Sequence, residues 1–396
     1  MRFRVPLLFR VLIAVALGIV LGLFLPGWAV RIFATIQMIF AQYLGFCIPL
    51  IILGLIVSGI SGLGIHSGKI LLLTICLAYG STLFSGFMTY FSCTGIFPWL
   101  LKDLSVVAPP EASDLIRTPY FVMEIPPVMG VMSALVLAFV LGIGIAKTGS
   151  ATLKQFADEF RFIIERLIIK TIIPFLPLFI LCIFMGMTAE GTIWKMLNVF
   201  GKIILVVFDL HFGLLAIQFI AAGLVARKNP LKAFWNMLPA YFTALGTSSS
   251  AATIPVTLQQ VRKNGVDPEV ADFCVPLCAT IHLAGSTLKI TAFALAIAIL
   301  TGGDSSLPTF AAFIALLGVT MIAAPGVPGG AIMAATAILQ SVLGFDEVAT
   351  GLMIALYITT DCFGTACNVC GDGAIALVVN RFNKKLTDPS LNTQEQ

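Results

Sequence analysis

The sequence predicts an all-α protein that crosses a membrane many times. Of its 396 residues, 59% are hydrophobic and only 11% are charged, and the mean hydropathy is +1.04. A soluble domain of this length cannot hide so much apolar surface. Apolar runs long enough to cross a bilayer as a helix, about 18 residues or more, recur along nearly the whole chain. The net charge of +4 suits membrane topology and not a nucleic-acid partner, because the basic residues cluster at helix ends.

Six apolar segments in the first part of the chain are typical of ordinary transmembrane helices. They lie at about 7–27, 33–62, 68–98, 120–146, 163–187 and 197–226. Their connections alternate between basic composition and mixed or acidic composition. Because basic connections stay in the cytoplasm, this alternation predicts a multi-pass protein of the inner (plasma) membrane with cytoplasmic termini, including a polar tail at 383–396.

The pattern changes after residue 230, where Ser, Gly and Pro interrupt shorter apolar segments. The serine-rich stretch 244–257 has basic flanks on both sides, so it must enter the membrane and turn back. This predicts a re-entrant helical hairpin at about 230–262. A second, at about 305–345, has flanks without Lys or Arg and is predicted to enter from outside. Kinks in ordinary helices are the alternative, but they would reverse the orientation of the basic flanks.

Two further helices complete the prediction. One, at about 268–301, is broken within "CATIHLAGS" (278–286), and the other, at about 347–382, carries polar residues inside an apolar run. Irregular backbone at membrane depth is tolerated only where it packs in protein or lines a wet cavity. Two opposed hairpins and a broken helix are typical of a binding site at the midplane of a transporter.

Four polar residues of the last helix share one face. Asp361, Thr365, Asn368 and Asp372 have offsets of 4, 7 and 11 residues, which at about 100° per residue fall within roughly 40° of one another. The stripe is too polar for lipid and is predicted to face the interior. Two buried carboxylates need cationic partners, and an α-ammonium group and a metal ion are the natural candidates.

These motifs resemble the dicarboxylate/amino acid:cation symporter family of glutamate and neutral amino acid transporters. The resemblance covers nearly the full length and is strongest in "TSSSAATIPVT", "VPLCATIHLAG", "GVPGGAIM" and "DCFGTACNVCGD". It implies a homotrimer in membrane lipids that transports by an elevator motion and is not an enzyme. Residues 1–226 would form mostly the trimeric scaffold, and residues 227–382 the mobile transport core, joined by the third and sixth helices.

The resemblance also implies roles for single residues. Asp361 would hold the amino group of the substrate, with Thr365 and Asn368 at its amino or carboxylate end. Amide donors at the hairpin tips would bind its carboxylate, and these come from Ser249, Ser250, Val327 and Gly329. A sodium site is implied at Cys278, Thr280, His282, Asn368 and Asp372. Ser81 and Thr82 match a sodium-binding region of relatives, although hydroxyl residues are equally common as packing contacts.

Two departures from the family pattern bear on the substrate. Some acidic-substrate members have an arginine three residues after the binding aspartate, where this chain has Gly364. Others have an arginine at the tip of the first hairpin, where this chain has Ser248. Without either guanidinium a neutral amino acid is predicted, with Gly364 leaving room for its side chain. A dicarboxylate without an amino group is disfavoured, because Asp361 would repel it. The alternative is an acidic amino acid or dicarboxylate held by Lys289.

Further departures bear on the coupling ion. The family's Asn-Met-Asp-Gly reads His-Leu-Ala-Gly at 282–285. The missing acid at Ala284 predicts the loss of one sodium site, and an imidazole at His282 is a poor ligand for a hard cation. The positive charge that a coupling ion supplies in relatives would come instead from Lys289, which lies on the same helical face as His282, or from a protonated His282. Sodium coupling with fewer ions is predicted, with protons or exchange as alternatives. The remaining interpretation is that Lys289 snorkels to an interface.

The sequence was also weighed against two other classes of function, a hydrolase and a channel. An intramembrane hydrolase would use Ser249 with His282 as base, but the serines lack the G-x-S-x-G elbow. A passive channel would be excluded by saturable, exchange-type kinetics.

Overall fold

The fold is all-α, as the sequence predicts. The computed structural model describes residues 7–62, 69–100, 118–191, 193–324 and 328–387, and the regular structure in these ranges is entirely helical. The helices of the first part are α1 Leu7–Phe24, α2 Gly27–Gly62, α3 Lys69–Leu100, α4 Val131–Thr148, α5 Ala151–Leu167, α6 Ile173–Ala189 and α7 Ile193–Ala226. Those of the second part are α8 Pro230–Thr247, α9 Ser250–Lys263, α10 Pro268–Ile281, α11 Ala284–Thr301, α12 Leu307–Ala323, α13 Gly330–Leu343 and α14 Glu347–Thr387.

Six helical stretches of the described residues are long and apolar enough to cross a membrane. They are Gly27–Ser58, Ile70–Leu100, Ala151–Ala189, Leu197–Ala226, Pro268–Thr301 and Glu347–Asn383. The predicted spans at 7–27 and 120–146 correspond to shorter apolar helices, Phe9–Phe24 and Val136–Thr148. The predicted start at 120 is wrong, because residues 118–130 are not helical. Pro126 and Pro127 lack amide donors and keep the preceding residues out of the α region.

The structure contains one helix that the hydropathy pattern did not predict. The predicted spans at 120–146 and 163–187 leave a connection between them, yet α5, Ala151–Leu167, occupies most of it. It is amphipathic, with an ion pair between Arg161 and Glu165 at 2.8 Å on its polar side. Its buried Ile164 packs so closely on α2 that a Cβ at Gly54 would come within 2.6 Å of it. A π-helical turn at Ile168–Ile172 joins α5 to α6.

The second half contains two helix–turn–helix units and a broken helix, near the predicted positions. The first unit is α8–α9, where Ser248 turns the chain in the left-handed region (φ 49°) and Ser249 caps Ala252 N at 3.3 Å. The second is α12–α13, and α13 begins after Gly329 (φ 75°). The break between α10 and α11 falls at His282 and Leu283, whose backbones are not helical.

The helices α11 and α14 lie in the interior, and α3 and α7 pack against both. In the apolar 18-residue stretches of Pro268–Thr301 and Glu347–Asn383, 94% and 89% of the residues are buried. The corresponding share for Ile70–Leu100 on α3 is 28%. A helix that is buried all round must satisfy its polar side chains inside the protein. The polar residues of α11 and α14 therefore meet each other.

Hydrogen bonds of Asp304 order the connection between α11 and α12, outside the spans. Asp304 accepts from Ser306 N at 2.8 Å and from the hydroxyl of Thr309. These hydrogen bonds to its charged form lower the pKa of Asp304.

Candidate functional site

The polar stripe of α14 is buried, as its spacing predicts. Asp361 and Thr365 are 6% exposed, and Asn368 and Asp372 are 1% exposed. Three of the four have partners on other elements: Asp361 on the second helix–turn–helix unit, Asn368 on α11 and Asp372 at the α10–α11 break.

Asp361 lies under the tip of the second helix–turn–helix unit. Its Oδ2 accepts a hydrogen bond from Gly329 N at 2.8 Å. Gly329 has a positive φ of 75°, a conformation that glycine adopts without strain. This contact places the N-terminus of α13 against Asp361, so the two predicted site residues meet. Val327, which was also predicted here, lies outside the described residues.

Lys289 is buried beside Asp361. The lysine is 1% exposed, and its Nζ donates to the backbone carbonyl of Thr360 at 2.8 Å. The ammonium also lies 4.3 Å from the ring centroid of Tyr357, within cation–π range. A side chain that ends on α14 in the interior does not reach an interface, so the snorkelling interpretation is wrong.

The space beside Gly364 is filled by this lysine. A Cβ at position 364 would collide with Cε and Nζ of Lys289. The prediction that Gly364 leaves open room for a substrate side chain therefore needs correction, because the missing side chain makes room for the ammonium of Lys289.

Asn368 holds the N-terminus of α11. Its Oδ1 accepts from Gly285 N at 2.8 Å and from Ser286 N at 3.3 Å, and its Nδ2 donates to Ser286 Oγ at 3.1 Å. Both ends of the amide are thus bonded to α11. Thr365 bonds within its own helix, donating to the carbonyl of Asp361 at 3.1 Å.

The close approach of α11 to α14 at Gly285 gives a first prediction. A Cβ there would collide with Cys367 Cβ and lie 2.8 Å from the carbonyl of Gly364. We expect Gly285→Ala to cost about 1–3 kcal/mol by overpacking and to lower the thermal unfolding temperature of the detergent-solubilised protein. Gly213→Ala is the matched control, because nothing lies within 4 Å of its Cβ. An equally stable Gly285→Ala variant would contradict the described packing.

His282 and Asp372 form a second buried pair. His282 Nδ1 lies 2.8 Å from Asp372 Oδ1, and the two side chains are 0% and 1% exposed. His282 Nε2 lies 3.0 Å from Ser81 Oγ, which accepts from Gln218 Nε2 at 3.0 Å. His282 thus links Asp372 on α14 to Ser81 on α3 and, through Ser81, to Gln218 on α7.

This network differs from the hydrolase that was weighed as an alternative. Ser81, His282 and Asp372 follow one another as in a catalytic triad, yet Ser81 sits in the middle of α3 and not on a strand–helix elbow. Ser249, the nucleophile in that alternative, caps α9 through its hydroxyl. Ser250 is buried in the first turn of α9. Gln218 was not singled out in the sequence, although a glutamine inside an apolar span was the available signal.

The predicted sodium ligands do not form an oxygen cage in the described residues. The carbonyl of Cys278 accepts from His282 N at 2.9 Å, and Thr280 is exposed and donates to Leu277 O. Asn368 is bonded to α11, and a ring nitrogen of His282 lies at Asp372. Asp372 Oδ2 has no hydrogen-bond partner among the described residues. The imidazole nitrogen at Asp372 is a poor ligand for a hard cation, which prefers oxygen.

Comparison with known proteins matches residues 7–382 to the family described as "Sodium:dicarboxylate symporter family". The serine/threonine transporter SstT of Acinetobacter baumannii (strain AYE) is 25% identical over 367 residues, which cover 89% of this chain and 91% of that protein. Excitatory amino acid transporter 3 of Oryctolagus cuniculus is 30% identical over 261 residues, covering 65% and 49%. Excitatory amino acid transporter 2 of Homo sapiens is 28% identical over 304 residues, covering 73% and 50%. The match thus spans about half the length of the excitatory amino acid transporters.

Proposed function

The chain belongs to the sodium:dicarboxylate symporter family of membrane transporters, and we propose that it carries neutral amino acids across the inner (plasma) membrane. The observation that carries this proposal is the position of Asp361, a buried carboxylate held under the tip of a helix–turn–helix unit by Gly329 N. The name of a relative matched over 89% of the chain, a serine/threonine transporter, supports the same substrate class.

The α-ammonium group of an amino acid is the proposed partner of Asp361. A carboxylate in a buried site gains most from a cation that also donates hydrogen bonds. The α-carboxylate of the substrate would bind the amide donors where α9 begins at Ser250 and α13 begins at Gly330, since helix N-termini attract anions. Ser249, Thr365 and Asn368 complete the proposed substrate site.

The contacts of Lys289 favour a neutral side chain on the substrate. Its ammonium is already bonded to the carbonyl of Thr360 and lies over the ring of Tyr357, so fewer of its three donors remain for a ligand. One observation favours the second candidate, an acidic amino acid or dicarboxylate. Lys289 places its ammonium beside Gly364, where the resemblance puts the arginine of acidic-substrate members.

The ion coupling and the motion belong to the same proposal. We expect fewer coupled sodium ions than in relatives, because an imidazole lies against Asp372, with protons or exchange as the alternative. Both helix–turn–helix units are proposed to be re-entrant. The part from 227 to 382, together with α3 and α7, would move as an elevator within a homotrimer whose termini are cytoplasmic. A scaffold formed mostly from residues 1–226 would contact the membrane lipids.

Uptake into proteoliposomes tests the proposed substrate. We expect saturable uptake of labelled serine and alanine at least about tenfold above that of glutamate, since a second carboxylate would meet no free cation. Each substrate is measured with and without an inward sodium gradient at fixed pH, and empty liposomes are the control. Preferred uptake of glutamate would contradict the neutral assignment and make Lys289 the receptor of the side-chain carboxylate. Flux that does not saturate would indicate a channel.

A further inference from the structure

A cavity far from Asp361 lies between α2, α6 and the first turn of α14. Glu347, in its lining, is 14 residues before Asp361 on α14, which corresponds to about 21 Å along a straight helix. We propose that this cavity binds a small hydrophobic amine, whose ammonium group pairs with Glu347 and whose apolar body fills the remaining space. The binding itself is independent of the transported substrate, and only its effect on transport rests on the proposed function.

The first support is the size and lining of the cavity. Its volume is about 200 Å³, and its apolar lining includes Val30 and Met38 on α2 and Ile183 and Met187 on α6. Drug-sized ligands occupy cavities of about 300–1,000 Å³, whereas an apolar cavity of about 150 Å³ admits benzene. The space therefore fits one aromatic ring with a short polar arm. The two methionines favour such a ring, because thioether sulfurs make attractive contacts with aromatic groups.

The second support is the carboxylate of Glu347. Among the described residues that line the cavity, Glu347 is the only charged one, and its side chain is half-buried. Its hydrogen-bond partner in this part of the chain is Gln42, whose Nε2 lies 3.4 Å from Oε1, beyond the usual range of about 2.7–3.2 Å. A half-buried carboxylate with so weak a partner gains most from a cation that also donates hydrogen bonds. An ammonium group has both properties.

The third support is the charge around the cavity. Gly186, in the lining, belongs to the last turn of α6, where the helix carbonyls carry partial negative charge. The positive end of α14 is already capped, because Asp346 Oδ1 accepts from Ala349 N at 2.7 Å. Arg31, one turn before the lining residues of α2, donates to the carbonyl of Thr118 at 3.1 Å, and no ion pair joins it to the described carboxylate of the cavity. The surroundings therefore attract a cation and do not supply one.

A ligand in this cavity would contact both proposed parts of the transporter. The lining from α2 and α6 belongs to the proposed scaffold, and Glu347 begins the last helix of the proposed transport core. A bound amine would hold the two parts together and would therefore slow any motion of one past the other. Because serine is proposed to bind at Asp361, the amine should slow transport without competing with serine.

Calorimetry on the purified protein tests the binding, with serine present to fill the Asp361 site. Benzylamine is compared with benzyl alcohol, which has the same ring and a hydroxyl in place of the ammonium. We expect the wild-type protein to bind benzylamine at least about tenfold more tightly, because a hydrogen bond to a charged group is the stronger one. Glu347→Gln should remove this preference.

Asp346→Asn is the matched control, because it removes the neighbouring, exposed carboxylate and asparagine caps a helix as well as aspartate does. Its affinity for benzylamine should stay within about twofold of the wild type, since exposed charges contribute little. Gly186→Leu tests the cavity itself. A Cβ at Gly186 meets nothing within 4 Å, so the leucine has room to enter the cavity and should weaken the binding of both ligands.

Equal affinity of the wild-type protein for the two ligands would overturn the proposal, a result that stands even if a variant fails to fold. So would a Glu347→Gln variant that still prefers benzylamine. In serine uptake by proteoliposomes, we expect benzylamine to lower the maximal rate and to leave the half-saturating serine concentration unchanged. Competition with serine would overturn the proposal, because the amine would then bind at Asp361. A protein that binds benzylamine through Glu347 but transports no amino acid would instead contradict the proposed function.

Discussion

Replacing Asp361 by asparagine is expected to weaken the binding of neutral amino acids at least about 100-fold. The variant keeps the size of the side chain and an acceptor for Gly329 N, but it removes the charge that faces the substrate ammonium. Removing one partner of a buried, hydrogen-bonded charge pair costs about 2–5 kcal/mol. Titration calorimetry with serine on the purified protein measures the effect.

Asp304→Asn is the control for this variant, because it makes the same change in the connection between α11 and α12, where Asp304 bonds only to Ser306 and Thr309 among the described residues. It should bind serine as the wild type does. Serine affinity that survives in Asp361→Asn would show that the substrate ammonium binds elsewhere.

Replacing His282 by alanine is expected to destabilise the protein by about 3–5 kcal/mol, the effect of leaving a buried charge without its partner. Asp372 Oδ2 already has no hydrogen-bond partner among the described residues, and the substitution would also free Oδ1. A cation that binds the exposed carboxylate would restore part of the stability. We therefore expect the thermal unfolding temperature of His282→Ala to rise with sodium much more than that of the wild type.

Two comparisons make this expectation specific to the pair. His211→Ala removes another buried histidine, whose Nε2 lies 3.1 Å from the hydroxyl of Tyr241. Both alanine variants leave a cavity, and beyond it the loss of this hydrogen bond should cost only about 1 kcal/mol, with no response to sodium. Adding Asp372→Asn to His282→Ala should recover stability, since the unpaired charge is gone. If the double variant is less stable than His282→Ala, the two residues are not a charge-coupled pair.

The sequence predicted the framework of the second half because its signals are local. The serines at 248–250 and the glycines at 329 and 330 mark turns, and the helical offsets of Asp361, Asn368 and Asp372 determine which face is buried. The amphipathic α5 was missed because its polar side reads as a connection in a hydropathy pattern. Its buried positions, such as Ile164, become apparent only against α2.

The partners of the polar residues could not be predicted because they come from distant parts of the chain. Lys289 and Gly364 are 75 positions apart, and only the packing of α11 on α14 shows that one fills the space left by the other. The bond between His282 and Asp372 and the contribution of Gln218 through Ser81 likewise depend on how α3, α7 and α14 surround the helix break.

Calorimetric binding of serine and of glycerate, in which a hydroxyl replaces the amino group of serine, tests the central claim most directly. Both ligands carry the same carboxylate and the same hydroxymethyl group, so they differ only in the ammonium that Asp361 is proposed to bind. The account predicts binding of serine and, for glycerate, affinity at least about 100-fold weaker. Equal affinity for the two ligands would contradict it, because a buried Asp361 that receives the ammonium cannot be indifferent to its loss.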